Sequence, residues 1–574
     1  MRFPAIPRSI LCFLCVLCAV CGSVFKCLAL DREAFTFTKY DLSIQIEPEQ
    51  HRLGVRGKIA LRNDSTTPQK IAVLQISSSL DWVSIKAGDK ALQFVSQPYT
   101  SDIDHTGGLS EAIVTLPQPV PPKGTIDLDI GYEGVIVLDA TRLMRIGTPE
   151  DAATSTDWDQ ISPNFTAVRG AGYVAWYPIA TESANLSEGN DLFDVLGRWK
   201  TRQASSEMSL VFESTRKSPI LFSGTPNGFV ITPEQGIEKI GAFSMIRPGM
   251  NVPTFAAADY KASDVKGVST INSLPGSEAS GASYAELLGS LDPLPNARGS
   301  RRLQVLELPD EAATSFFSQD MLLTPLKANA EDDRLMLVYA LARQRANSPW
   351  PWIEEGLAHL AQIQDIEHQH GRRAALDYLD SHRTPLVESE KVLFTEGSQS
   401  RSAALIQMTD DLNAQSKAMW VWSMLRDMIG DVGINIVLFQ YKASGDNNPA
   451  YMPKLIAAHT QRDLQWFFDD WVYHDRGLPD FKVESAFARQ ATTDTFMVAI
   501  TVDNLGTAGA EVPVIVKFSG GEVTKRLEVR AKNKATIRVE VPAVPQEIVV
   551  NDGSVPESDM TNNVFKIEAA DIAK

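Results

Sequence analysis

The chain has 574 residues, 44% of them apolar, and a formal charge of −17 from 54 basic and 71 acidic side chains. A chain of this length can bury several cores, so about three or four domains are expected. The acidic balance offers no basic face of the kind that phosphate contacts require, which excludes nucleic acid as the expected partner.

The first residues, "MRFPAIPRSILCFLCVLCAVCGSVFKCLAL", place Arg2 and Arg8 ahead of an uncharged run from Ser9 to Phe25. Cys27 and Ala29 then supply small residues at the third and first positions before a cleavage point, so residues 1–29 are expected to be an export signal. The rival reading is an uncleaved tether, since 17 uncharged residues stand at the short limit for a membrane span. All five cysteines, Cys12, Cys15, Cys18, Cys21 and Cys27, fall in this segment. From residue 30 onward there is no thiol for a disulfide, a metal site or a nucleophile. Removing Arg2, Arg8 and Lys26 leaves 51 basic against 71 acidic residues, or −20. No later stretch holds enough consecutive apolar residues for a membrane helix.

Residues 30–262 alternate apolar and polar positions, as in "KYDLSIQIEPEQHRLGVRGKIALRND" and "EMSLVFEST", which predicts an antiparallel β domain. The Ser/Gly/Pro-rich "STINSLPGSEASGAS" reads as a surface loop. Across residues 263–478 the period changes. "RRLQVLELPD" predicts a buried strand, and "EDDRLMLVYALARQRA", "WIEEGLAHLAQIQDIEHQH" and "SKAMWVWSMLRDMIGD" predict helices. Residues 479–574 return to short strands about ten residues apart, the spacing of a β-sandwich. The fold class expected is therefore α+β multidomain.

Three stretches carry a resemblance. "WPWIEEGLAHL", "KAMWVWSMLRDMIGD" and "DLQWFFDDWVYHDRGLP" are similar, in this order, to segments of the zinc aminopeptidases related to membrane alanyl aminopeptidase. The resemblance spans most of residues 36–480 and implies a thermolysin-like, mainly helical middle domain. It also implies a zinc site in which His-Glu-x-x-His on one helix is joined, after eighteen residues, by a glutamate at the position of Glu355. Counting back from Glu355 puts the histidines at 332 and 336 and the general base at 333, where this chain has Asp332, Met336 and Asp333. Its eight histidines are His51, His105, His359, His368, His370, His382, His459 and His474, none followed by glutamate and none between 105 and 359.

Other parts the family implies are missing as well. The Gly-x-Met-Glu-Asn segment that holds a substrate's amino group is replaced by "EAATSFFSQDMLLTPLKANA". The oxyanion-stabilising tyrosine, two residues before Lys417, is Gln415, whose amide lacks a phenol's acidity. A lone carboxylate without imidazoles binds zinc poorly, so no cofactor is expected here, although zinc is the family's.

The leading expectation is an exported, non-catalytic chain that binds peptide or protein segments in the former active-site groove, with Glu354, Glu355 and His359 as candidate contacts. Two alternatives stand beside it. One is an active metallo-aminopeptidase with rearranged ligands, built from Asp332 or Asp333, Glu355 and His359. The other is a structural module of the cell envelope or of adhesion. The acids at 331–333 read either as first-turn residues facing a helix N-terminus or as a negative patch for cationic peptides. Trp350, Trp352, Trp420, Trp422, Trp466 and Trp471 read as core.

Overall fold

The computed structural model describes residues 30–189, 191–215, 218–230, 239–266, 269–295, 302–346, 348–393, 404–408, 411–492, 495–568 and 572–573. The expected export signal, 1–29, lies outside them. The N-terminal region is built on an eight-stranded sheet whose centre is Glu207–Ser214, Phe35–Glu47, Arg52–Asn63 and Thr125–Val135. Strict alternation explains it: in Phe35–Glu47, Tyr40, Leu42, Ile44 and Ile46 point inward and the residues between them outward. One expectation needs correction. The sheet is not wholly antiparallel, because Phe35–Glu47 pairs in parallel with Glu207–Ser214, Lys39 opposite Glu207. A parallel pair needs a long crossover, and some 160 residues, including helix α1 (Asp191–Arg202), separate these two strands. A three-stranded sheet of Gln69–Ser77, Gly108–Val120 and Phe94–Thr100 accompanies the large sheet.

The loop expected at "STINSLPGSEASGAS" is also corrected. Ser269–Ser273 is a strand of a mixed five-stranded sheet, and Glu278–Ser290 is a helix that buries Tyr284, Leu287 and Leu288. Small residues made the segment look unstructured. Gly281 is in fact where the helix meets the sheet, and a Cβ there would lie 3.1 Å from Ser273. The expected strand in "RRLQVLELPD" is present as Leu303–Glu307.

Helices α2 (Arg334–Ala346), α3 (Pro351–His370) and α4 (Asp411–Gln440) follow. Helix α3 opens on Pro351 in its first turn, where the missing N–H costs nothing. Helix α4 is broken at Gly430, whose φ of 74° lies in the left-handed region. Trp352 and Trp422 stack with centroids 5.8 Å apart, and Trp422 donates to the Trp352 carbonyl at 3.0 Å. A Cβ on Gly356 would lie 2.1 Å from Trp422 Cδ1, so only glycine lets α3 and α4 approach this closely. Each such ring removes roughly 150–250 Å² from water, about 4–6 kcal/mol at ~25 cal/mol/Å². Trp352, Trp420, Trp422, Trp466 and Trp471 are all buried in the core, and Trp350 packs partly buried against it.

Two four-stranded sheets close the chain, one centred on Phe481–Gln490 and Phe496–Asn504, the other on Ala510–Phe518 and Pro545–Val550. Their inner faces and the helices share a continuous apolar core: Trp466, Phe467 and Trp471 cluster with Leu478, Phe481 and Val502. Among the described residues no helix is long and apolar enough to cross a membrane.

Candidate functional site

Glu355 lies in the second turn of α3, buried. Helix α2 faces it with Tyr339 and Arg343, four residues apart and therefore on one helix face. The Tyr339 hydroxyl donates to Glu355 Oε2 at 2.6 Å, and Arg343 Nη2 pairs with Oε1 at 3.0 Å. Arg343 Nη1 donates to the Tyr339 oxygen at 3.1 Å, and Nε reaches Glu354 Oε2 at 3.4 Å. Both oxygens of Glu355 are thus engaged. Burial pushes the Tyr339 phenol well above its ordinary value, so it stays a donor. Burial likewise raises the Glu354 carboxyl, with the Arg343 charge pulling it back down.

The residues obtained by counting back lie elsewhere. Asp332 and Asp333 belong to the single 3-10 turn Ala330–Asp333 ahead of α2. Asp333 is buried and accepts from Tyr284 and Lys327, and exposed Asp332 accepts from Asn329 Nδ2 at 3.2 Å. Asp333 is thus committed to Tyr284 and Lys327, and neither aspartate lines the cavity beside Glu355. The physical reason is register. The residues meeting Glu355 precede it by 355 − 343 = 12 and 355 − 339 = 16 positions. The fixed count used 19 and 23, which is seven residues, or about two helical turns, too far back. Of the counted positions only Met336 borders the cavity described below.

Of the candidate groove contacts, Glu354 and Glu355 line the recess described below, while His359 hydrogen-bonds Gln362. Gln362 Nε2 donates to the Leu335 carbonyl at 2.9 Å, which orients its Oε1 to accept from Tyr378 at 3.0 Å and His359 Nδ1 at 2.8 Å. The proton is then on Nδ1, and Nε2 is buried without a partner. Burial lowers the His359 pKa below its ordinary value. His368 and His370 end α3, exposed. Lys417 is buried against Asp475 at 2.6 Å, and Gln415, two residues earlier, faces the cavity.

That cavity, about 510 Å³, runs between the N-terminal region and the helices, past Phe193, Leu196, Phe316, Phe317, Met336, Tyr339 and Glu355. A narrower recess of about 60 Å³, lined by Arg247, Pro351 and Glu354, continues it and shares Lys200, Met250, Gln319, Arg343, Glu355 and Gln415 with it. Lys200 is set at its rim by the last turn of α1, where a cation suits the helix dipole. Arg247 follows the strand Lys239–Ile246 at φ 55°, its carbonyl accepting from Met250 and Asn251. A side chain held in that left-handed region costs about 1–2 kcal/mol. Arg142 also borders the cavity, but Asp157 binds it at 2.7 Å. The sequence reading missed Tyr339, Arg343, Lys200 and Arg247. A signal for the first pair was present in "LVYALARQR", where a phenol and a guanidinium recur at helical spacing.

A zinc ion does not fit these residues. Zinc sites draw on imidazole, thiolate and carboxylate donors; here the carboxylate is held by a guanidinium and a phenol, and the nearest imidazole side chain is turned to Gln362. Among the described residues no group of three or more His, Cys, Asp or Glu side chains is placed to hold a metal ion.

The chain is similar to three solved structures of an M1 zinc metallopeptidase from Deinococcus radiodurans. A single-residue mutant bound to a Tyr-Ser-Ala substrate aligns at 15% identity and a TM-score of 0.46, over 78% of this chain and 96% of that chain. The unmutated protein aligns at 14% and 0.43, and the mutant without substrate at 16% and 0.42, each over the same shares. No family model matches the chain, and no curated protein does.

Proposed function

We propose that this chain is an exported, non-catalytic protein with an aminopeptidase-like fold, and that it binds peptide or protein segments in the groove beside Glu355. One observation carries the reading: the Glu355 carboxylate is occupied on both oxygens by Tyr339 and Arg343. A carboxylate so engaged cannot act as a base, and a guanidinium at this distance repels a dication. The open cavity of about 510 Å³ supports binding over a purely structural role, since its size falls in the range of ligand sites, roughly 300–1,000 Å³. The tryptophans that would have filled it pack into the core instead.

Metal analysis of the purified protein, combined with hydrolysis of aminoacyl-anilides, tests the non-catalytic part. No stoichiometric zinc and no turnover are expected. Bound zinc together with turnover that Glu355→Gln abolishes would overturn the proposal in favour of a working metallo-aminopeptidase.

A further inference from the structure

The charged side chains around the groove already have partners. Arg142 is held by Asp157 at 2.7 Å, and Arg343 by Glu354 and Glu355. Arg247 interacts electrostatically with Glu354 and with buried Asp446, and Lys200 is engaged as well. A free amino end would have to draw Glu354 or Glu355 away from Arg343, and a carboxyl end would have to draw a cation away from its carboxylate. Either exchange leaves a buried or half-buried charge unpaired, which is what makes breaking a buried pair costly. Apolar surface is what the wall still offers. Helix α1 sends Val195 and Trp199 into the N-terminal core, while Phe193, 40% exposed, and Leu196 border the cavity. From the helical region, half-buried Phe316 and Phe317 meet Tyr173 and Tyr339 edge-on, with centroids 5.2 and 6.1 Å apart. Rings from two regions of the chain thus border one cavity, where a further ring can pack edge-to-face or offset. Gln415, half-buried at the same cavity, carries an amide able to pair with a peptide group.

Resting on the peptide-binding reading above, we propose that the groove takes an interior stretch of a polypeptide by an aromatic side chain and reads neither end of that chain. The ring lies against Phe193, Phe316 and Phe317, and the peptide group beside it pairs with Gln415. The ligand class is an extended or unfolded segment with an aromatic residue among uncharged neighbours. Burial of a ring supplies the affinity in place of an ion pair, so binding is expected to be insensitive to salt.

Equilibrium dialysis of the full chain tests this with one hexapeptide, Ser-Gly-Phe-Leu-Gly-Ser, prepared with both ends blocked, with only its amino end free and with only its carboxyl end free. All three forms are expected to be retained by the protein to the same degree. Replacing the peptide's phenylalanine by alanine is expected to weaken retention roughly tenfold or more, the range for burying one phenyl group. Phe193→Ala, checked for an unchanged circular dichroism spectrum, is expected to weaken it by a similar factor. Phe487→Ala, which removes a phenyl group 66% exposed on the strand Phe481–Gln490, is expected to leave it unchanged. A free end that strengthens retention, an alanine peptide retained in full, or a Phe193→Ala variant that retains as before overturns the inference and leaves groove binding standing. Equal losses from Phe193→Ala and Phe487→Ala would trace retention to exposed rings in general and overturn both readings, as would retention of none of the peptides.

Discussion

Glu355 in the helical region and Glu557 in the C-terminal sheets are both buried carboxylates, but their surroundings differ in kind. Glu355 is met by the guanidinium of Arg343 and the hydroxyl of Tyr339. Glu557 is met by amides: the Phe481 N–H at 2.9 Å, Asn563 Nδ2 at 2.8 Å and Asn551 Nδ2. Neutral donors satisfy its lone pairs without offsetting the cost of a buried charge. Burial accordingly pushes its pKa up to about 7. One region thus stabilises a charge with a cation and the other favours a proton. The cationic solution also keeps both oxygens of Glu355 on its own neighbours.

The largest expected effect comes from removing that cation. Arg343→Met leaves buried Glu355 and half-buried Glu354 without the cation they share, and breaking a buried pair in this way costs about 3–5 kcal/mol. Thermal unfolding of the full chain measures it. Adding Glu355→Leu to Arg343→Met is expected to recover most of the loss, because replacing both partners removes the unpaired charge. A double variant no more stable than Arg343→Met would mean that the pair is not the source of the cost.

The next effect belongs to the other glutamate. The unfolded chain releases the Glu557 proton near 4.5, whereas the folded chain holds it to about 7. Between these values the folded state binds more protons, so stability falls as pH rises through the window and the contribution is gone above it. A shift of this size amounts to about 3 kcal/mol. Glu557→Gln mimics the protonated form and is expected to flatten the decline measured by unfolding at a series of pH values from 4 to 8. A variant that retains the wild-type slope would place its source at another group.

How much of this was legible follows from what each feature depends on. Strands such as Phe35–Glu47 were legible because alternation is local and burial follows it residue by residue. The helix bearing Glu355 was legible from its apolar period. The parallel pairing with Glu207–Ser214 was not, since a pattern of period two is the same for either direction of the neighbour. The groove was legible at Met336, Glu354, Glu355 and Gln415, positions reached through the resemblance. Lys200 and Arg247 lie more than a hundred residues before Glu355, and no local spacing ties them to it. Tyr339 and Arg343 were hidden by a different cause. A fixed count carries the length of the connection between two helices as an assumption, and here that connection puts the facing residues seven positions later.

Asp332 gives the smallest effect and the sharpest check of that register. Its side chain is exposed and accepts one hydrogen bond from Asn329 Nδ2, so Asp332→Asn is expected to change stability by less than about 0.5 kcal/mol, as for other surface positions. It is also expected to leave peptide retention unchanged, because Asp332 does not line the groove. If the counted register were the real one, position 332 would stand against Glu355, and the same substitution would remove one of two buried like charges and raise stability measurably. Comparing Asp332→Asn with Arg343→Met therefore separates the two registers by the sign and size of the response: near zero and strongly destabilising for the arrangement described, stabilising and near zero for the alternative.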